Sequence, residues 1–579
     1  MTDILIQNGA VVDGTGAPAF KADVRIRDGR IAEIGPGLAP KGERLVDATD
    51  CYVTPGFIEA HTHFDGSMWW QPDLSPLPGY GATTVITGNC GFSTAPISDD
   101  QAVTEEVVKI FSFFEDLPDE LFLKHLPWDW RKWSEYKASM TGKVRLPVNY
   151  AAMVGHIPIR LTVMGLEAWD RAATPEEIAR MCELLDDALE AGALGMSTNL
   201  MDHDGADRPV PTLKASDEEF RALFEVLDRH PGRLVQVIID TFMRMTAPAA
   251  LQRLSGLLDG LNVRMQWAGL PTLEFQRPVL PQMQAEHQRF KAEGKDFWTA
   301  FTHVSPVNTL SLTKSLIFAQ SNDYAWHEVV LAETDAEKER LLRDPEWRAR
   351  ARDSWDTKAW PHAPMNRPND LLLRNSDNGV GPVNLTLAEY QAQIGAAHRS
   401  DAMAEWILRN GVRSTVHMAP FPMNEELVIE LIRDPKSVGN VSDAGAHTQM
   451  FCGPGDNMLL FTHYVRNGLI TIEEAVHVQT GKLAQHFNLK GRGELKVGAR
   501  ADIAVFHPDE IEQREEEKIF DVPDARGGTT WRYTRQPAPM RLTLVNGVPT
   551  FDRDGATAAR PGEFLSPGVD APTFAAAAE

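Results

Sequence analysis

TPGFIEAHTHFDG, residues 54–66, is an apolar run entered through Pro55-Gly56 and closed by two histidines, His61 and His63. Alternate side chains of a strand point to the same side, so both imidazoles can reach a single ion. A bare His-x-His is a weak signal. One that ends an apolar strand and runs on into Phe-Asp-Gly is much stronger. The next apolar run, TTVITGNCGF, ends on Cys90 between Gly88 and Gly91, which allow close backbone approach. A lone cysteine is most often a small buried hydrophobe, but beside a divalent cation its thiol deprotonates and becomes a ligand. Far downstream, NVSDAGAH places Asp443 at another strand end. A carboxylate there can bind the ion weakly and act as general base on water whose pKa the ion lowers toward ~7. The alternative for Asp443 is an N-cap of the following helix.

Outward from these stretches, residues 55–488 alternate strand and helix patterns, the sign of βα units around a parallel barrel. Strand candidates are TPGFIEAHTHF, ATTVITGNC, NYAAMVGH, ALGMSTNL, RLVQVII, NVRMQWAG and SVGNVSDAGAH. PEEIARMCELLDDALEAG, with Gly192 as its stop, and DEEFRALFEVLDRH carry helical spacing. The expected fold is α/β, a distorted (β/α)8 TIM barrel. Barrel enzymes keep their active sites at the C-terminal strand ends, where His61, His63, Cys90 and Asp443 fall. Residues 1–54 and 489–560 read instead as short strands around DG and NG turns, and are expected to form one small β-sandwich-like domain from both termini. Residues 276–400 are irregular and rich in Trp, Pro and charge. This insertion is expected to cover the barrel mouth as an aromatic lid using Phe297, Trp298, Phe301, Trp326 and Trp355, with a peripheral interface element as the alternative.

Composition narrows the class. The 579 residues are 43% hydrophobic and 24% charged, ordinary for a globular enzyme able to bury a large core. A formal charge of −24 argues against nucleic acid. No apolar run approaches the ~20 residues of a membrane span, and the opening MTDILIQNG reads as a strand rather than a signal segment. Four cysteines without paired spacing suggest a reducing, cytoplasmic setting. The expected partner is a small-molecule substrate, with assembly into a homo-oligomer. Further candidates to hold substrate or polarise its carbonyl are His156 and Arg160, Ser197, Asn199 and His203, and His447. Each is equally suited to structural hydrogen bonding.

The motifs TPGFIEAHTHFD, GATTVITGNCGFSTAP, VGHIPIR, GALGMSTN, SDAGAH, RGELKVGARADIAVFHP and LVNG, in this order, resemble the amidohydrolase superfamily, and within it the N-acyl-D-amino-acid deacylases. The resemblance spans nearly the whole chain, sparsely between Gln276 and Ser400. It implies a zinc site on His61, His63, Cys90 and Asp443. Two departures stand out. The family's metal-binding histidines after strands five and six have no counterpart in RLVQVIIDTFMR and NVRMQWAGLP, where Gln236 or Asp240 are the candidates to stand in. The family's carboxylate-holding arginine also has none, since residues 444–457 contain neither Arg nor Lys. The expectation is one Zn2+ (or another divalent metal) rather than two, and hydrolysis of an amide or cyclic amide C–N bond by metal-bound hydroxide. Simple N-acetyl-D-amino acids should be poor substrates unless another loop brings in a base such as Arg244 or Lys314. Hydrolysis of a lactone or of a dione C–C bond, and a metal-poor binding protein without activity, remain the alternatives.

Overall fold

The computed structural model describes residues 3–206, 208–241, 245–312, 325–357, 369–523 and 527–569. Parallel pairing runs in chain order through eight strand positions among them. The first is Phe57–Glu59 continuing as His61–Thr62, followed by Ala82–Thr87 and by Asn149–Ala152 continuing as Val154–Gly155. Gly195–Asn199, Leu234–Ile238, Arg264–Trp267 and Phe297–Ala300 come next. The eighth, Ser437–Val438 continuing as Val441–Ala444, pairs on one side with the seventh and on the other with His61–Thr62. The pairings therefore close on themselves in a ring. Its strands are buried on both faces, which is why most read as plain apolar runs.

Helices fill the crossovers, and their ends are set locally. In Pro175–Ala191 the Thr174 hydroxyl accepts from Glu177 N at 3.3 Å while the Glu177 carboxylate accepts from Thr174 N at 2.8 Å. Pro175 occupies the first turn, where no backbone donor is needed. Gly192, at φ 106°, ends the helix in the left-handed region. Met181, Leu185, Ala188 and Leu189 form the buried stripe against the ring.

Strands from the two ends of the chain make one sheet. Tyr52–Pro55 pairs with Ile503–Phe506, and the order continues through Leu542–Val545 on one side and Ile4–Val11 on the other. Tyr52–Pro55 runs directly into the first ring strand, so this sheet anchors the segment that carries His61 and His63.

The stretch expected as an irregular lid resolves differently. Leu280–Ala292 is a crossover helix and Phe297–Ala300 is the seventh ring strand, so Phe297 and Trp298 are ring core rather than lid. A four-residue, fully buried strand shows no alternation and escapes a periodicity search. The true insertion lies between this strand and the eighth. It holds an antiparallel sheet in the order Asn308–Leu310, Thr415–Met418, Leu371–Asn375, Leu385–Thr386. Its helices include Ala325–Leu331, Pro345–Thr357 and Arg399–Asn410. Trp326, Trp347, Trp355 and Trp406 form its own core, with Trp326 edge-on to Trp347 and Trp355 at centroid distances of 5.2 and 6.0 Å. Phe301 is buried in the main core. Phe297, Trp298, Phe301, Trp326 and Trp355 were expected over the cavity; burial in three separate clusters takes them away from it. Trp326→Ala should cost about 3–5 kcal/mol and lower the thermal midpoint of the insertion in calorimetry, while the metal content of the purified protein stays unchanged.

Candidate metal centre

The pairing of the eighth strand with the first fixes the site. Val441 pairs with His61 and Ala444 with Thr62, and His63 N donates to Ala444 O at 2.8 Å. Asp443 is thereby held beside the two histidines. A Cβ on Gly445, which sits at φ 95°, would meet the His63 carbonyl at 2.8 Å, so this crossing requires glycine.

His61 Nε2 and His63 Nε2 lie 3.3 Å apart. Cys90 Sγ is 3.1 Å from the first and 3.5 Å from the second. These ligand atoms form a group all within 4.8 Å of one another. Asp443 Oδ1 lies 3.5 Å from His61 Nε2 and 3.3 Å from His63 Nε2. Ligand atoms about 2.0–2.3 Å from one tetrahedral ion stand roughly 3.3–3.6 Å apart; the His61–His63, Cys90–His63 and Asp443 separations fall in that range, and the Cys90–His61 separation of 3.1 Å is slightly shorter. Asp443 Oδ1 is also buried and without a hydrogen-bond partner. An unpartnered buried carboxylate oxygen is costly, and a cation at this point removes that cost. The donor set therefore fits a divalent metal.

Electrostatics agree. Burial pushes the His61 imidazole down to about 4, keeping it the neutral ligand. Burial alone would raise the Asp443 carboxyl, but His63 and His61 beside it hold it well below the usual carboxylate range. Burial, with the Asp443, Asp202 and Asp65 charges, drives the Cys90 thiol well above its ordinary value. A cation reverses that preference, because a coordinating thiol is deprotonated.

Polar residues around the ligands hold them in place. Cys90 sits at φ 57°, a strained conformation for a residue with a Cβ. Its turn is tied down from neighbouring strands. Cys90 N donates to Gln236 Oε1 at 2.9 Å and Asn199 Nδ2 donates to Cys90 O at 3.1 Å. Ser197 Oγ accepts from Gly91 N at 2.9 Å and donates to Gly88 O at 2.6 Å. A Cβ on Gly88 would meet Met153 O at 2.2 Å, and its φ is 71°. Ser197 and Asn199 were expected at the substrate; their hydrogen bonds instead serve the Cys90 turn, and neither lines the cavity. Asn199 Oδ1 accepts from Met201 N and Asp202 N, which aims Met201 and Asp202 into the cavity. Gln236 Nε2 lies 3.2 Å from His61 Nδ1 and donates to Asn89 Oδ1 at 2.8 Å. Asp240 is buried at the end of the fifth strand and lies outside the His61–His63–Cys90 group.

His156 and Arg160 were likewise expected to hold substrate. Both are fully buried around Glu219, with His156 Nε2 2.8 Å from Glu219 Oε1, Nδ1 3.0 Å from Thr198 Oγ1, and Arg160 bonded to Glu219 Oε2. Neither reaches the cavity. His203 is also buried, in a bridge opposite Pro209, and does not line it. His447 does, with Nε2 3.6 Å from Asp443 Oδ2 and its own N donating to Phe114 O at 2.8 Å. Burial lowers its imidazole to about 4. Arg244 and Lys314 lie outside the described residues.

The cavity above the ligands measures about 420 Å3. Its walls come from loops far apart in sequence: Phe92 and Phe114 before the third strand, Phe275 after the sixth, Phe421 from the return of the insertion, and Met450 and Phe451 after the eighth. The Phe275 and Phe421 rings meet at 4.4 Å. None of these residues was singled out from the sequence, although Phe92 lies two residues beyond Cys90, and Met450 and Phe451 lie just beyond His447.

With this geometry in view, comparison with known proteins is specific. The amidohydrolase family pattern matches residues 44–315 and 376–551, and the chain belongs to that family. It is 27% identical to D-aminoacylase of Alcaligenes xylosoxydans xylosoxydans over 572 residues, covering 97% of each chain. It is 29% identical to an uncharacterized protein of Mycobacterium tuberculosis, covering 95% of this chain and 92% of that one. In fold it is similar to N-acyl-D-glutamate deacylase from Bordetella bronchiseptica, solved with zinc and a phosphonate inhibitor, at a TM-score of 0.65 and 24% identity over 98% and 99% of the two chains. The protein is a metal-dependent hydrolase acting on C–N bonds other than peptide bonds.

Two substitutions separate positioning from structure. Gln236→Ala should weaken zinc binding about 10–100-fold, as loss of a ligand's supporting hydrogen bonds does, measured by chelator competition. Glu219→Ala should leave zinc affinity intact but cost about 3–5 kcal/mol by stranding Arg160. His156 and Arg160 outweigh burial and lower the Glu219 carboxyl. Its stabilisation is therefore present above the carboxylate range and lost as the pH falls through it. Denaturant melts of wild type and variant should converge at acid pH.

Proposed function

We propose that the enzyme hydrolyses an amide or cyclic amide at a single zinc-type ion held by His61, His63 and Cys90, with Asp443 as both ligand and proton carrier. The observation that carries this reading is the convergence of these four side chains, with Asp443 Oδ1 buried and unpartnered, on the floor of the cavity. The deacylase names of the relatives support an amide as the bond cleaved. A single ion is supported by the fifth and sixth strands. Gln236 there is engaged with Cys90, Asn89 and His61, and Gln266 Oε1 lies 2.8 Å from His486 Nε2. We read the ring as a distorted (β/α)8 barrel over residues 55–488, and residues 1–54 with 489–560 as one β domain.

A divalent ion in this set supplies Lewis acidity and lowers the pKa of water toward ~7. The chain supplies the rest. The ionised Asp443 faces the ion position with Oδ1 and His447 with Oδ2, so it can take a proton from attacking water and return it to the leaving nitrogen. His447, kept neutral by burial, lies 3.6 Å from the other carboxylate oxygen. The largely apolar walls lower the local polarity, which strengthens each electrostatic contact within.

Asp443→Asn keeps the shape and removes the base. Turnover of an identified amide substrate should fall by about 10²–10⁴, while zinc content measured by plasma emission spectrometry falls far less. Turnover near the wild-type value would place the base elsewhere.

A further inference from the structure

We propose that the hairpin of Glu516–Pro523 and Thr529–Arg535 is a positioning element for the hydrolytic site, and that Gln449 and Tyr533 are the residues through which it holds the wall loop 446–456 over the cavity. This rests on the single-ion reading above. The starting point is a detour in the chain. Ile503–Phe506 and Leu542–Val545 are antiparallel neighbours in the terminal sheet. A turn of about two residues can join such neighbours. Residues 507–541 leave that sheet instead, and the hairpin within them forms a two-stranded sheet of its own.

What the detour reaches is the loop after the eighth strand, which brings His447, Met450, Phe451 and Asp456 to the cavity. No helix or strand lies between Ala444 and Asp456, so the bonds to its surroundings set the shape of this loop. On one side it rests on the end of the helix Gln101–Glu115. His447 N donates to Phe114 O and Thr448 Oγ1 to Glu115 O, both at 2.8 Å. On the other side stands the hairpin. The buried Gln449 Nε2 donates to Trp531 O at 2.8 Å and to Thr530 Oγ1 at 3.2 Å, and Tyr533 N donates to Thr448 O at 2.8 Å. At the far end of the loop, Arg535 Nη1 donates to Pro454 O at 2.7 Å and to Asp456 Oδ1 at 2.8 Å. Tyr533 also reaches the insertion. Its hydroxyl oxygen accepts from Thr309 Oγ1 at 3.0 Å, and Thr309 N donates to Met450 O at 2.7 Å. Gln449 and Tyr533 thus bracket residues 448–450, between His447 and Phe451. A wall in place for only part of the time lowers the apparent affinity of the site by that fraction.

The test compares the zinc-loaded full chain with its Gln449→Ala and Tyr533→Phe variants. The probe is benzohydroxamate, whose hydroxamate binds zinc and whose ring must pack on the cavity wall. In both variants, amide exchange across residues 446–456, followed by mass spectrometry, should quicken about tenfold. The Kd of the probe in titration calorimetry should rise about tenfold as well, while zinc content and exchange in the ring strands match wild type. Unchanged exchange in the loop would overturn the inference. Faster exchange with an unchanged Kd would also overturn it, since the hairpin would then only brace the fold. Faster exchange in both variants, with no binding of the probe by wild type, would keep the hairpin as the anchor of the loop and defeat the single-ion reading.

Discussion

The parallel pairing of Val441–Ala444 with His61–Thr62 is the constraint on which the site depends. It joins residues almost four hundred positions apart, and the only route between them is the full circuit of strands. A slip of one residue would turn Asp443 or the histidines to the other side of the ring. Gly445, Asn440 and the positive φ of Asp443 mark how tightly the crossing is made. Asn440 Nδ2 donates to Ile58 O at 2.8 Å and Ser442 Oγ to Glu59 Oε2 at 2.6 Å, so side chains reinforce the backbone ladder at this seam.

Most of the polar residues around the metal centre serve geometry rather than substrate. Gln236, Ser197 and Asn199 hold the strained Cys90 turn from the fourth and fifth strands. Asp65 Oδ1 accepts from Gly88 N at 2.9 Å and ties the first strand's loop to the second. His156, Arg160 and Glu219 form a buried ion-paired cluster behind the fourth strand. Such groups resemble catalytic residues in sequence because burial of any polar side chain demands a partner. The cavity is lined by aromatic walls, by His61, His63, Cys90 and His447, by carboxylates, and by a few neutral polar residues such as Gln276 and Ser305.

What was legible in the sequence follows from this division. Two-residue spacing on an apolar strand was enough to put His61 and His63 on one side, and the strand-end position of Cys90 marked it as their neighbour. The Pro175–Ala191 helix could be read from its cap, stripe and stop because those signals are local. The strand Phe297–Ala300 could not, being short and wholly buried. The tryptophans at 326 and 355 suggested a lid only because composition cannot tell an exposed aromatic face from a small separate core. Nor could spacing tell Ser197, His156 or Arg160 from substrate ligands, since the partner that engages each lies on another strand or helix. The cavity walls come from loops far apart in the chain, and no single stretch of sequence contains them.

In the proposed site, His61, His63 and Cys90 share a single ion. X-ray absorption at the zinc edge of the zinc-loaded protein tests it directly. Shared ligation gives nitrogen or oxygen scatterers near ~2.0–2.1 Å, one sulfur near ~2.3 Å that disappears in Cys90→Ser, and no zinc–zinc vector. A first shell without sulfur, or a second metal at about 3.5–4 Å, would contradict it.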